Sequence, residues 1–128
     1  MVRAGGARAR VIPAAYGASM RHATLIGSDG FRLEVEIAQR ARERMRGLLR
    51  RARLPPGRGL LIPNARSVHS IGMHFPLDVA FLDADLLVLE VKRLAPGRML
   101  MPRRRPRHVL ETAAGAGPEP GQRLRVGR

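Results

Sequence analysis

Three side chains of metal-binding type lie close together near the middle of the 128-residue chain: His69, His74 and Asp78. Two imidazoles and one carboxylate form the ligand set of many iron enzymes, so a metal site is the first chemistry to consider. In an extended strand, however, residues 69 and 74 point to opposite faces because side chains alternate. A bend at Gly72 or Pro76 could bring them together, but nothing in the sequence requires one. We therefore predict structural histidines here, with no bound metal and no other cofactor.

Two carboxylates, Asp78 and Glu111, lie within apolar segments, where an ionised group needs a cationic partner. Arg44 and Arg51 are the candidate partners, because a spacing of seven residues places them on similar sides of a helix. Together with His69, these four residues form the predicted ligand-binding site. The same residues are equally consistent with a structural arginine–carboxylate network, and the sequence leaves both interpretations open.

Several other chemistries find no support in the sequence. The chain has no cysteine, which excludes disulfides, thiolate catalysis and cysteine-bound metals. Its serines lack the Gly-x-Ser-x-Gly setting of a nucleophile elbow, and no glycine-rich phosphate loop leads from a strand into a helix. No apolar run approaches the ~20 residues of a transmembrane helix, and arginines interrupt any signal-like segment near the N-terminus. Enzymatic activity is therefore uncertain, and the cytoplasm is the expected location.

The charge balance points to an anionic partner, since 24 basic residues stand against 10 acidic ones and give a net charge of +14. Part of the excess lies in the terminal segments: residues 1–21 contain four arginines and no acidic residue. Aromatic residues that could stack on bases are scarce. We expect weak, non-specific and salt-sensitive binding to polyanions, with contributions from Arg103, Arg104 and Arg105.

The elements that must position these residues are mainly strands. Gly27-Ser28-Asp29-Gly30 is a strong turn signal, and apolar and charged residues alternate over 31–37 as in a half-buried strand. The residues around 39–50 have the spacing of one short amphipathic helix. Further strands are predicted at 24–26, 60–62, 67–73, 77–82, 86–94, 109–112 and 124–126. This pattern predicts a mainly β fold, a compact β-sandwich or barrel-like domain over residues 23–128, preceded by a flexible basic tail over residues 1–22.

Four segments in chain order share their pattern with one known family. They are Arg44-Met45-Arg46-Gly47-Leu48-Leu49-Arg50-Arg51, the segment from Leu54 to Ile62, the central stretch around Pro76-Leu77-Asp78-Val79, and Val109-Leu110-Glu111 followed by Ala114-Gly115. On these segments the chain resembles the prokaryotic family called domain of unknown function 192, over about residues 31–126. The resemblance implies a compact β-sandwich or barrel-like fold with a short helix, and it implies no reaction.

One departure from the family pattern concerns a turn. A glycine commonly follows the Asp-x-Asp of this turn in the family, whereas Leu86 follows Asp83-Ala84-Asp85 here. Because a side chain disfavours the left-handed backbone conformation that glycine adopts, we expect this turn to take another conformation. Many family members also carry a signal or membrane anchor, and this sequence shows neither.

Three functional classes remain. A non-catalytic binding module for a small ligand or a protein is favoured, because the β scaffold carries no nucleophile motif. A hydrolase-like enzyme would use His69 with Asp78 and Glu111, and it would be favoured if these three side chains converged in one concavity. An arginine-rich nucleic-acid accessory protein would instead present a continuous basic face. In each case we expect a monomer.

Overall fold

The computed structural model describes residues 22–37, 54–66, 68–69, 75–100 and 102–127, and it is mainly β, as predicted. Nine strands and one short 3-10 turn occur in these ranges. They are β1 (His22–Gly27), the 3-10 turn (Ser28–Gly30), β2 (Arg32–Ile37), β3 (Arg58–Pro63), β4 (Val68–His69), β5 (Leu77–Leu82), β6 (Val88–Leu94), β7 (Met99–Leu100), β8 (His108–Ala113) and β9 (Leu124–Gly127).

Seven of the strands form one sheet in the order β6-β5-β8-β3-β2-β1-β9, and β4 pairs with β7 in a second, two-stranded sheet. Within the large sheet β2 and β3 are parallel, and the other neighbours are antiparallel. The two edge strands, β6 and β9, approach each other at one end, where the segment that leads into β9 bonds to the start of β6. The Val88 N–H donates to the Gln122 carbonyl at 2.9 Å, and the Gly121 N–H donates to the Val88 carbonyl at 2.7 Å. The sheet is therefore curled into a half-barrel whose edges meet at one end.

Apolar side chains pack on both faces of this sheet. An inner cluster fills the half-barrel, and an outer cluster lies on the opposite face of the central strands. The inner cluster contains Ala23, Leu25, Leu33, Val35, Ile37, Leu61, Ala80, Leu82, Leu86, Val88, Leu110 and Leu124. The outer cluster contains Leu54, Leu60, Ile62, Leu77, Val79, Phe81, Leu94 and Val109. Burial on both faces explains why β5 is an almost continuous apolar run rather than an alternating one.

The turn between β5 and β6 departs from the expectation made for it. Leu86 has a φ of 64°, so it takes the left-handed conformation that a glycine would take, and the prediction of another conformation is wrong. The Asp83 carboxylate accepts hydrogen bonds from the backbone N–H groups of Asp85 and Leu87, at 2.8 and 3.0 Å, and holds the turn closed. The Leu86 side chain is fully buried in the inner cluster. Its burial offsets a backbone cost of about 1–2 kcal/mol.

Two predictions concern residues outside the described ranges: the amphipathic helix around 39–50, and almost all of the basic tail over 1–22. The exception is His22, which was assigned to the tail and is the first residue of β1. Within the described part of the chain, the structure contains no helix with the length and hydrophobicity of a membrane span.

Candidate functional site

Asp78 has a defined structural partner on the neighbouring strand. Its Oδ1 accepts a hydrogen bond from Arg93 Nε at 2.6 Å, and its Oδ2 accepts one from the Gly115 N–H at 2.8 Å. These two hydrogen bonds tie β6 to the loop that follows β8, and Asp78 as a whole is 9% exposed. The partner of Asp78 is thus Arg93, whereas the sequence predicted Arg44 or Arg51.

Glu111 lies on the other face of the sheet. In the β5–β8 register Asp78 stands opposite Thr112, whereas Glu111 stands opposite Val79. Directly paired residues share a face and successive residues alternate, so the two carboxylates point away from each other through the sheet. Glu111 is 1% exposed and stands beside the outer cluster, while Asp78 is on the inner side. The predicted convergence of Asp78 and Glu111 in one concavity is therefore wrong.

The remaining predicted site residues are only partly described. His69 belongs to β4, where its backbone pairs with Met99, and its side chain lies outside the described part of the structure. Arg44 and Arg51 also fall outside the described ranges. Among the residues that the structure does describe, no group of three or more His, Asp or Glu side chains is close enough to hold a metal ion.

A second arrangement of polar groups lies on the outer face, where the segment after β7 crosses β5 and β6. The Arg103 guanidinium is 4.8 Å from the centre of the buried Phe81 ring, a cation–π distance. It also donates to both carboxylate oxygens of Glu90, from Nε to Oε1 at 3.0 Å and from Nη2 to Oε2 at 3.3 Å. This fork geometry fixes the planar guanidinium in one orientation.

Glu90 is held ionised by this contact. The hydrogen bond from Arg103 is the main reason that the pKa of Glu90 is lowered, partial desolvation opposes the shift, and the charges of Arg103 and Lys92 add to it. Lys92 Nζ lies 3.8 Å from Glu90 Oε2. A carboxylate that stays ionised and is committed to two cations is poorly suited to act as a general acid.

Beside this ion pair is an open groove of about 750 Å³, which we call the arginine groove. Its lining residues combine an apolar floor with basic walls. They are Phe81, Leu89, Glu90, Arg103, Arg104, Arg105 and Pro106. Arg104 and Arg105 are exposed, and neither forms an ion pair with any described residue. The groove therefore offers two available guanidinium groups next to an apolar surface, which is the chemistry of an anion-binding site.

Part of this groove is visible in the sequence. The run Arg103-Arg104-Arg105 is predicted to contribute to polyanion binding as a group, whereas Arg103 is packed over Phe81 and its side chain is only 25% exposed. Glu90 was not among the predicted site residues. The turn after Leu82 does not by itself set its position, because a β-bulge between Phe81 and Leu82 shifts the register and places Glu90 opposite Phe81.

One histidine, His108 at the start of β8, has a perturbed environment. His108 Nδ1 accepts a hydrogen bond from the Asn64 N–H at 3.2 Å, which requires a ring without a proton on that nitrogen. Burial lowers the pKa of His108, the neighbouring Arg107 charge lowers it further, and Asp83 partly opposes the shift. The folded protein therefore favours the neutral imidazole.

Comparison with known proteins identifies relatives without an assigned reaction. The family model DUF192, described as "Uncharacterized ACR", matches residues 24–126. A crystal structure from Sinorhizobium meliloti 1021, described as a "putative transcription regulator", is 28% identical, has a TM-score of 0.69, and covers 82% of this chain and 92% of its own. The crystal structure of a protein of unknown function from Novosphingobium aromaticivorans DSM 12444 shares the fold. It is 24% identical, has a TM-score of 0.64, and the match covers 80% of this chain and 82% of that protein's chain. No curated protein matches the chain.

Proposed function

The chain belongs to the DUF192 family, for which no reaction is described, and within that family we propose that this protein is a non-catalytic binding module that takes an anionic ligand in the arginine groove. The observation that carries the proposal is the contrast between neighbouring arginines. Arg103 is fixed by Glu90 and Phe81, while Arg104 and Arg105 are exposed beside it. A ligand with carboxylate or phosphate groups can meet these two guanidinium groups without displacing an existing ion pair.

The composition of the groove supports binding rather than catalysis. Its described lining contains no serine, threonine, histidine or lysine that could act as a nucleophile or base, and its one carboxylate is the ionised Glu90. The hydrolase-like alternative relied on Asp78 and Glu111 acting together. It loses its geometric basis because they lie on opposite faces of the sheet.

A nucleic-acid accessory role is the second candidate, and one specific observation favours it. The similar structure from S. meliloti is described as a "putative transcription regulator", and the arginine run could contact phosphates. Such binding would span several phosphates and therefore weaken steeply with salt, whereas a ligand held by two arginines would show a shallow salt dependence. The slope of affinity against salt concentration distinguishes the two candidates.

The proposal is tested by calorimetric titration of the full chain with citrate and with inorganic pyrophosphate. We expect measurable binding of at least one probe, and a loss of at least about tenfold in affinity in the double variant Arg104→Ser/Arg105→Ser, because two charge-assisted contacts are removed. The matched control is Arg58→Ser/Arg125→Ser, which removes two exposed arginines outside the groove. If both double variants weaken binding equally, the effect is one of net charge and the groove is not the site.

The cytoplasmic location remains part of the proposal, since a cytosolic module would meet anionic metabolites and proteins directly. Immunodetection of the native protein in fractionated cells would test it. Recovery in the membrane or secreted fraction would contradict it.

A further inference from the structure

Within the described ranges, strand β6 has an open edge next to the arginine groove. On one side it pairs with β5, with Leu89 left unpaired at a β-bulge. On the other side, the described residues engage it only at Val88, through hydrogen bonds with Gly121 and Gln122. Over residues 89–94, no strand within the described ranges pairs with this second side. An unpaired strand edge is a template for another extended chain, because alternate N–H and C=O groups point outward.

The charges along this edge are predominantly positive. Lys92 and Arg93 project from β6 itself, and both are exposed. Arg104 and Arg105 line the adjoining groove together with Leu89. The two carboxylates of the region, Glu90 and Asp78, are each held by an arginine. With Arg103, five basic groups therefore stand against two acidic ones, a net charge of +3.

From these two features we infer that an extended acidic segment of a partner protein adds to β6 as a further strand, with its carboxylates meeting Arg104 and Arg105. The inference rests on the proposed function, because it names the anionic ligand of the same groove. Backbone hydrogen bonds along the edge supply register and affinity, and side-chain contacts in the groove supply selectivity, as in other proteins that bind peptides by strand addition.

The alternation of the sheet also predicts the pattern of the segment. Glu90 stands opposite Phe81 of the outer cluster, whereas the next residue, Val91, packs against the inner cluster. An added strand would therefore direct every second side chain toward the groove and the intervening ones toward the half-barrel. Acidic residues suit the first set and small apolar residues suit the second, so the expected motif alternates acidic and apolar positions.

Charge argues against the two other occupants of this edge. The protein's own N-terminal residues 1–21 contain four arginines and no acidic residue, so they have the wrong sign. A second copy paired antiparallel through β6 with its two-fold between Lys92 and Arg93 would oppose these cations across the interface, which like-charge repulsion disfavours.

The experiment uses the full chain and a seven-residue peptide of alternating Glu and Val, capped at both ends and labelled for fluorescence anisotropy. Two further peptides of the same sequence carry backbone N-methyl groups on the odd or on the even residues, which removes hydrogen-bond donors and leaves the charge unchanged. Only one of these sets can face the strand edge. We expect one N-methylated peptide to bind at least about tenfold more weakly than the unmodified one, and hydrogen exchange at backbone amides within residues 89–94 to slow when the unmodified peptide is bound.

Each other outcome has a definite meaning. If both N-methylated peptides bind as well as the unmodified peptide, strand addition is refuted while anion binding stands. If the peptide fails to bind although citrate or pyrophosphate binds, the polypeptide partner is refuted and the small-anion site stands. If no probe binds, the proposed function itself fails. Slow exchange within residues 89–94 that depends on protein concentration without peptide would show a second copy at the edge and overturn the inference.

Discussion

Replacement of Leu86 by glycine tests the balance between backbone strain and burial in the β5–β6 turn. Leu86 combines a φ of 64° with a fully buried side chain. Glycine removes the left-handed backbone strain, which stabilises the folded state by about 1–2 kcal/mol. It also makes the unfolded chain more flexible, which destabilises the folded state by about 0.4–1 kcal/mol. Loss of a buried leucine side chain costs about 2–5 kcal/mol through lost transfer energy and the cavity that remains. We therefore expect Leu86→Gly to destabilise the protein by about 2–4 kcal/mol.

The control is a second residue with the same backbone conformation and no buried side chain. Asn64 has a φ of 59° and is exposed, so Asn64→Gly should change the stability by less than about 0.5 kcal/mol. Urea unfolding followed by circular dichroism measures both variants, with free energies compared at equal m-values. If Leu86→Gly is as stable as the wild type or more stable, strain outweighs burial at this turn and the reasoning is refuted.

Two further variants test the polar contacts of the sheet. Asp78→Ala should lower the unfolding free energy by about 1–3 kcal/mol, because a loop N–H loses its acceptor and a half-exposed Arg93 loses its partner, while citrate binding stays unchanged. The control is Glu119→Ala, at an exposed residue outside the left-handed backbone region. A loss of citrate binding in Asp78→Ala would contradict the structural role. The pKa of His108 in the folded protein lies below the usual 6.5. Its contribution to the free energy of unfolding should therefore be complete above pH 6.5, and it should be lost as the pH falls from 6.5 through the folded pKa. In urea titrations between pH 5 and 8, His108→Gln should remove this pH dependence, and the control His22→Gln should retain it. Identical pH profiles for His108→Gln and the wild type would contradict the assignment.

Local features of the fold could be predicted because their causes are local. The turn signals at 27–30 and 83–85 and the apolar runs beside them fix the hairpins β1–β2 and β5–β6. The pairing of Asp78 with Arg93 is less direct, because a β-bulge between Phe81 and Leu82 shifts the β5–β6 register by one residue. Counting back from the turn would place Asp78 opposite Lys92. The sequence prediction instead matched Asp78 with arginines of a predicted helix, by spacing within one element.

The arrangement of the candidate site could not be predicted in the same way. Whether Asp78 and Glu111 share a face depends on the register between β5 and β8, which are separated along the chain by β6, β7 and a proline-rich segment. A shift of one residue would have placed the two carboxylates on one face. The arginine groove likewise depends on the segment that carries Arg103 packing over Phe81. This segment is rich in proline and arginine and has no apolar periodicity from which the contact could be predicted.

The central claim is that the arginine groove is the anion-binding site, and a nitrogen-15 magnetic resonance titration with citrate tests it most directly. The side-chain Nε–H signals of the arginines and the backbone amides are followed together in the full chain. The account predicts that the largest shifts occur at Arg104 and Arg105 and at the amides of Leu89 and Glu90, with saturation at a common citrate concentration. Small, unsaturable shifts spread evenly over the exposed arginines, including Arg58, would contradict it.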